Sequence, residues 1–173
     1  MPRFALSRDY PSDLTRTQID GMVLASGAAL QTFIYRGSDR PSTSAHGISW
    51  VRSYWQPGGT WGVCIFDAPD LAILSAFQDL CAAPFHDAME VEEAAANPNL
   101  ATSIALQFNM RHTSDDPIAA ASTAIGVAPR DVGRVYLSRE RSSALAFVAT
   151  EPAPTNALRI ESGVVEITPD EYS

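Results

Sequence analysis

The stretch WVRSYWQPGGTWGVCIFDAP, residues 50 to 69, decides how the chain is read. Two runs rich in aromatic and β-branched residues flank Gln56-Pro57-Gly58-Gly59, the composition of a tight turn between two strands. The stretch holds all three tryptophans and Cys64, one of two cysteines. Side chains alternate along a strand. Trp50, Arg52 and Tyr54 are therefore expected on one face of the first strand, with Val51, Ser53 and Trp55 on the other. In the second strand Gly62, Cys64 and Phe66 share one face, opposite Val63 and Ile65.

Upstream, Phe4 to Tyr10 reads as a strand ended by Pro11. A helical pattern follows, with Ser12 or Asp13 as N-cap and Ile19, Val23, Leu24, Leu30, Phe33 and Ile34 near helical spacing. Residues 36 to 47 are a loop by composition. Downstream of the hairpin, Asp67 or Asp70 caps a helix carrying Leu71, Leu74, Phe77, Leu80 and Cys81. DAMEVEE, 87 to 93, supplies a short last strand. The order β-α-β-β-α-β is that of the ferredoxin-like split unit.

After AAANPNLATS the pattern begins again: SIALQFNMR as strand, SDDPIAAASTAIG as helix, then GRVYLSRE and SALAFVATEP as two strands. Pro117 suits the helix's first turn and Gly126 its end. APTNALRIES is expected as a short helix and GVVEIT as a last strand. FALSRDYPSD (4–13) aligns with IALQFNMRHT (104–113) at an offset of 100, and the offset falls to 84, 83 and 76 further on. The expectation is an α+β chain of two tandem ferredoxin-like (βαββαβ) repeats forming a pseudo-dimer. Residues 1–93 form the first repeat, 94–102 a linker and 103–173 a shorter second one. A concave site would lie at the repeat interface.

The chain has 173 residues, 46% hydrophobic and 18% charged, a globular composition. A net charge of −8 argues against a nucleic-acid partner, because phosphates need a basic face. It equally disfavours an anionic membrane surface. No apolar run approaches the roughly 20 residues that span a bilayer, and MPRFALSRDY carries charge where a signal peptide is apolar. The expected location is cytoplasmic. Two cysteines without CxxC spacing indicate neither a disulfide framework nor a zinc knuckle. No nucleotide fingerprint is present, so no nucleotide cofactor is expected.

Chemistry could lie in two places. Arg8, Tyr10, Trp50, Arg52 and Tyr54 would line one sheet face able to bind an anion or a polar organic molecule; alternatively the arginines snorkel from an apolar face. Repeat two replaces Trp50 by Arg134, Arg52 by Tyr136, Tyr54 by Ser138 and Cys64 by Phe147, so any site belongs to repeat one. Cys64 is either a soft ligand or a small buried hydrophobe. Of the histidines, His46 sits in the long loop, His112 near Asp115 and Asp116, and His86 beside Asp87 and near Glu90. Imidazole with carboxylate suits Ni, Zn or Fe(II), but no HxH, HxxxH or HExxH spacing occurs.

Met1 to Phe4, Leu14-Thr15 with Gln18, Trp50 to Tyr54, Cys64 to Asp70 and Glu90-Val91 together resemble a family of small bacterial ferredoxin-like proteins, whose characterised type is a nickel-binding homodimer. The likeness covers about residues 1 to 93. It implies the fold, a dimer-like assembly and a site for Ni or another divalent metal at His86, Cys64 and Glu90. Three readings follow. The first is a metal-binding protein. The second is a small-molecule binding module or cofactor-free enzyme of dimeric α/β-barrel type. The third is a structural or interaction protein, as a monomeric pseudo-dimer or a homo-oligomer.

Overall fold

A computed structural model describes residues 1–10, 13–35, 43–44, 47–110, 116–140, 142–152 and 157–172. β1 (Arg3–Asp9) leads to α1 (Arg16–Thr32). The helix begins later than Ser12 or Asp13, at a capping box. The Thr15 hydroxyl accepts from the Gln18 N–H at 3.3 Å, while Gln18 Oε1 accepts from the Thr15 N–H at 2.9 Å. β2 (Ile34–Tyr35) and β3 (Thr43–Ser44) form a two-stranded pair. The opening stretch folds as the hairpin β4 (Ser49–Trp55) and β5 (Trp61–Asp67). Asp70 caps α2 (Leu71–Leu80), its carboxylate accepting from the Ile73 N–H at 2.9 Å.

β6 (Asp87–Ala95) and β7 (Ile104–Asn109) follow, then α3 (Pro117–Ile125). Asp116 caps α3, Pro117 occupies its first turn, and Gly126 ends it at φ 67°. β8 (Val132–Ser138), β9 (Ser143–Val148), β10 (Ala157–Ser162) and β11 (Val165–Ile167) complete the strands, and a 3₁₀ turn spans Pro169–Tyr172.

Contacts divide the chain into two compact units, residues 1–88 with 167–173, and residues 89–166. In the first, β5 pairs antiparallel with β1 on one side and β4 on the other. In the second, antiparallel pairing gives the order β10-β7-β9-β8-β6.

This arrangement corrects the expectation of two tandem βαββαβ repeats forming a pseudo-dimer. The described residues hold eleven strands and only three α-helices. The segment expected as the second helix of repeat two is β10 over residues 157–162. Its exposure alternates with period two, Leu158, Ile160 and Ser162 being open, and Arg159 pairs with Gln107 of β7. Strand periodicity and a ladder outweigh the weak helical reading of a short segment. β6 pairs with β8, from Val91↔Ser138 to Ala95↔Arg134, a ladder that the repeat reading did not foresee.

In the first unit Phe4, Leu6, Phe66, Leu74 and Phe77 pack with Phe33 and Ile48. The Phe33 and Phe77 rings meet edge-on, centroids 5.5 Å apart. The second unit buries Leu106, Phe108, Val135, Leu137 and Ala146 against Ala121 and Ile125 of α3. Among the described residues, no helix is long and apolar enough to cross a membrane.

Candidate functional site

The first unit contains a half-open cavity of about 590 Å³. Its floor is the face of β1, β5 and β4 that carries Arg8, Cys64, Phe66, Trp50 and Ser53. One wall is α1, through Ile19, Val23 and Leu30. The far end is Phe77 and Gln78 of α2, and Ile167 and Tyr172 of the C-terminal segment complete the lining. Most of this wall is hydrocarbon, so a ligand of apolar body would be desolvated there.

Simple alternation placed Arg52 and Tyr54 beside Trp50. A bulge in β4 between Trp50 and Arg52 changes that. Trp50 lies opposite Phe66 and Ser53 opposite Cys64, on the cavity face, whereas Arg52 pairs with Ile65 and Tyr54 with Val63 on the alternate face. Trp50 Nε1 donates to Ser53 Oγ at 2.9 Å, a bond that the bulge makes possible. Tyr54 borders the cavity but is 1% exposed. Of the five expected pocket residues, Arg8, Tyr10 and Trp50 line the cavity face, and Arg52 does not line the cavity.

Arg8 is the polar pole. It is 3% exposed, and none of the partners that hold its guanidinium is a carboxylate. Nε donates to Cys64 Sγ at 3.4 Å, Nη1 to the carbonyls of Ala83 and Pro84 (the latter at 2.8 Å), and Nη2 to Gln78 Oε1. Burial is the largest influence and disfavours the charge. The Cys64 sulfur, with Tyr10 and Cys81, outweighs it and raises the guanidinium pKa. Burial, and then Cys64, push the Tyr10 phenol well above its usual range, Arg8 opposing, so Tyr10 stays a protonated donor.

A clasp joins α1 to the C-terminal turn beside the cavity. Arg16 pairs with Asp20 at 2.7 Å and with Glu171 at 2.8 Å, and the Tyr172 hydroxyl donates to Asp20 Oδ1 at 2.6 Å. The Trp50 and Tyr172 rings lie 5.9 Å apart. α1 itself is a weak element. Only Ile19 of its residues is buried, and it contains Gly21 and Gly27, which lower helix stability without a packing role, since a Cβ at either would meet nothing within 4 Å.

The metal set expected from the sequence does not assemble. Among the described residues, no three His, Cys, Asp or Glu side chains lie close enough to hold an ion. The reason is that each candidate is engaged elsewhere. Cys64 Sγ accepts from Arg8, a cation where a metal would sit. His86 Nδ1 lies 3.5 Å from Asp9, both half exposed. Glu90 accepts from Arg139 at 3.0 Å. His46 and His112 lie outside the described residues.

Sequence reasoning missed Gln78, the cavity-facing side of α1, and Tyr172. Gln78 had one signal, an uncharged polar residue in the apolar run LAILSAFQDL, and it is 3% exposed. Tyr172 had none, since its role rests on a contact with Asp20 across 152 positions. No protein-family model, curated protein or solved structure matches the chain, so the site stands on its own chemistry.

Proposed function

We propose that the protein binds a small organic molecule of largely apolar body in the cavity of its first unit. The observation that carries this reading is the cavity itself: about 590 Å³, apolar walls, and one buried polar pole at Arg8. Its volume falls in the usual range for small-molecule sites, roughly 300–1,000 Å³.

Titration with the neutral dye Nile red, followed by dye emission and by tryptophan fluorescence, tests the proposal. Saturable binding at one dye per chain is expected, together with its loss in Val23→Trp, which fills the cavity from α1. Absence of saturable binding, or full binding in Val23→Trp, would overturn it.

A further inference from the structure

Arg8 is the sole charged side chain among the described residues that line the cavity, in a chain whose net charge is −8. A buried charge is costly unless paired and hydrogen-bonded. Here no carboxylate is among the partners, which are a cysteine sulfur, an amide oxygen and two carbonyls. A guanidinium has five N–H donors, and these contacts use four, leaving one on Nη2. Tyr10, another protonated donor, also lines the cavity.

We propose that the ligand of this cavity is a monoanionic amphiphile, a carboxylate on a hydrocarbon body, with the carboxylate held at Arg8 and Tyr10 and the body lying against α1, Trp50 and Phe66. This rests on the reading of the cavity as a binding site. One guanidinium compensates one charge, so a dianionic phosphate ester would bring an uncompensated charge into an apolar space. An ammonium head would meet Arg8 as a like charge. A neutral head would leave the guanidinium without a carboxylate partner and forgo the bond in which both groups are charged.

The test compares three ligands that share one tail: dodecanoate, dodecanol and dodecylammonium. Each is titrated below its micelle concentration, by tryptophan fluorescence and by displacement of Nile red. Dodecanoate is expected to bind at least about tenfold more tightly than dodecanol, the worth of one hydrogen bond to a charged group, with dodecylammonium weakest. In Arg8→Met the advantage of dodecanoate over dodecanol should disappear, and in Arg8→Lys it should be partly kept. Equal affinity for dodecanoate and dodecanol overturns the anion assignment and leaves the cavity reading intact. So does Nile red binding with none of the three ligands competing, or an unchanged advantage in Arg8→Met. If Nile red fails as well, both readings fall. Should Arg8→Met not fold, the wild-type series of three ligands decides.

Discussion

Arg8 Nε donates to Cys64 Sγ at 3.4 Å, across the β1–β5 ladder in which Arg8 faces Gly62 and Leu6 faces Cys64. The bond places a thiol beside the buried cation, inside the cavity. Cys64 thus reports on occupancy. Alkylation by iodoacetamide at Cys64, measured by peptide mass spectrometry, should slow several-fold when dodecanoate fills the cavity. Cys81, whose thiol burial pushes up and which does not line the cavity, should react at the same slow rate in both states. An unchanged rate at Cys64 in the saturated protein would refute the prediction.

Arg8→Met should cost about 3 kcal/mol of stability, because it leaves the Ala83 and Pro84 carbonyls and the Gln78 amide without their donor. Urea unfolding measures this. A loss below about 1 kcal/mol would mean that these acceptors find other partners.

Gly27→Ala should stabilise α1 by about 0.7 kcal/mol. The added methyl meets no atom within 4 Å, so no clash opposes the gain in helix propensity. Thermal unfolding should shift upward by a few degrees, and ligand release should slow if α1 must loosen to open the cavity. A downward shift would contradict the open surroundings of Gly27.

Gly62→Ala addresses the opposite wall. Its Cβ would lie 3.0 Å from the Tyr10 ring and 3.3 Å from the Tyr54 carbonyl, so the ring must move. Affinity for dodecanoate should fall while affinity for dodecanol changes little. A similar loss for both ligands would show that the substitution closes the cavity instead of displacing Tyr10.

The clasp sets a pH dependence. The Tyr172 hydroxyl, and then Arg16, hold the Asp20 carboxyl below its ordinary value of 3.8. A depressed folded-state pKa stabilises the protein above the unfolded value, and that contribution fades as pH falls from about 4 through the folded value. Burial, and then Asp20, push the Tyr172 phenol up from 10.0. Its contribution is therefore present below pH 10 and lost as pH rises through the folded value. Release of dodecanol, whose head does not titrate in this range, should quicken at both extremes, and Tyr172→Phe should remove the alkaline limb. Dodecanol release that is flat across both limbs would show that the clasp does not control release. The clasp is exposed, so its effect on global stability should stay small.

Much of the local structure was legible in advance. Pro57-Gly58-Gly59 between aromatic runs defined the β4–β5 hairpin, Asp67 or Asp70 was expected to cap α2 and Asp70 does, and Pro117 and Gly126 bracketed α3. These signals act within a few residues, where backbone sterics and capping hydrogen bonds decide. The helix expected near residue 157 failed because its segment is short and pairs with β7, about 50 residues away. His86, Cys64 and Glu90, named through the resemblance, are not gathered into one cluster among the described residues, because strand pairing sets each against a different neighbour. Cys64, for one, meets Arg8 across the β1–β5 ladder.

The sequence by itself determined that Arg8, Cys64 and Phe66 stand on β1 and β5, since strand periodicity assigns their faces. Only the tertiary structure decided that Trp50 and Ser53 join them while Arg52 leaves, because one bulge in β4 inverts every later side chain. It also decided that α1 and Tyr172 close over that face, through contacts such as Arg16 to Glu171 across 155 positions. Such contacts are each worth a fraction of a kcal/mol and belong to no local pattern, so they become visible only once the chain is folded.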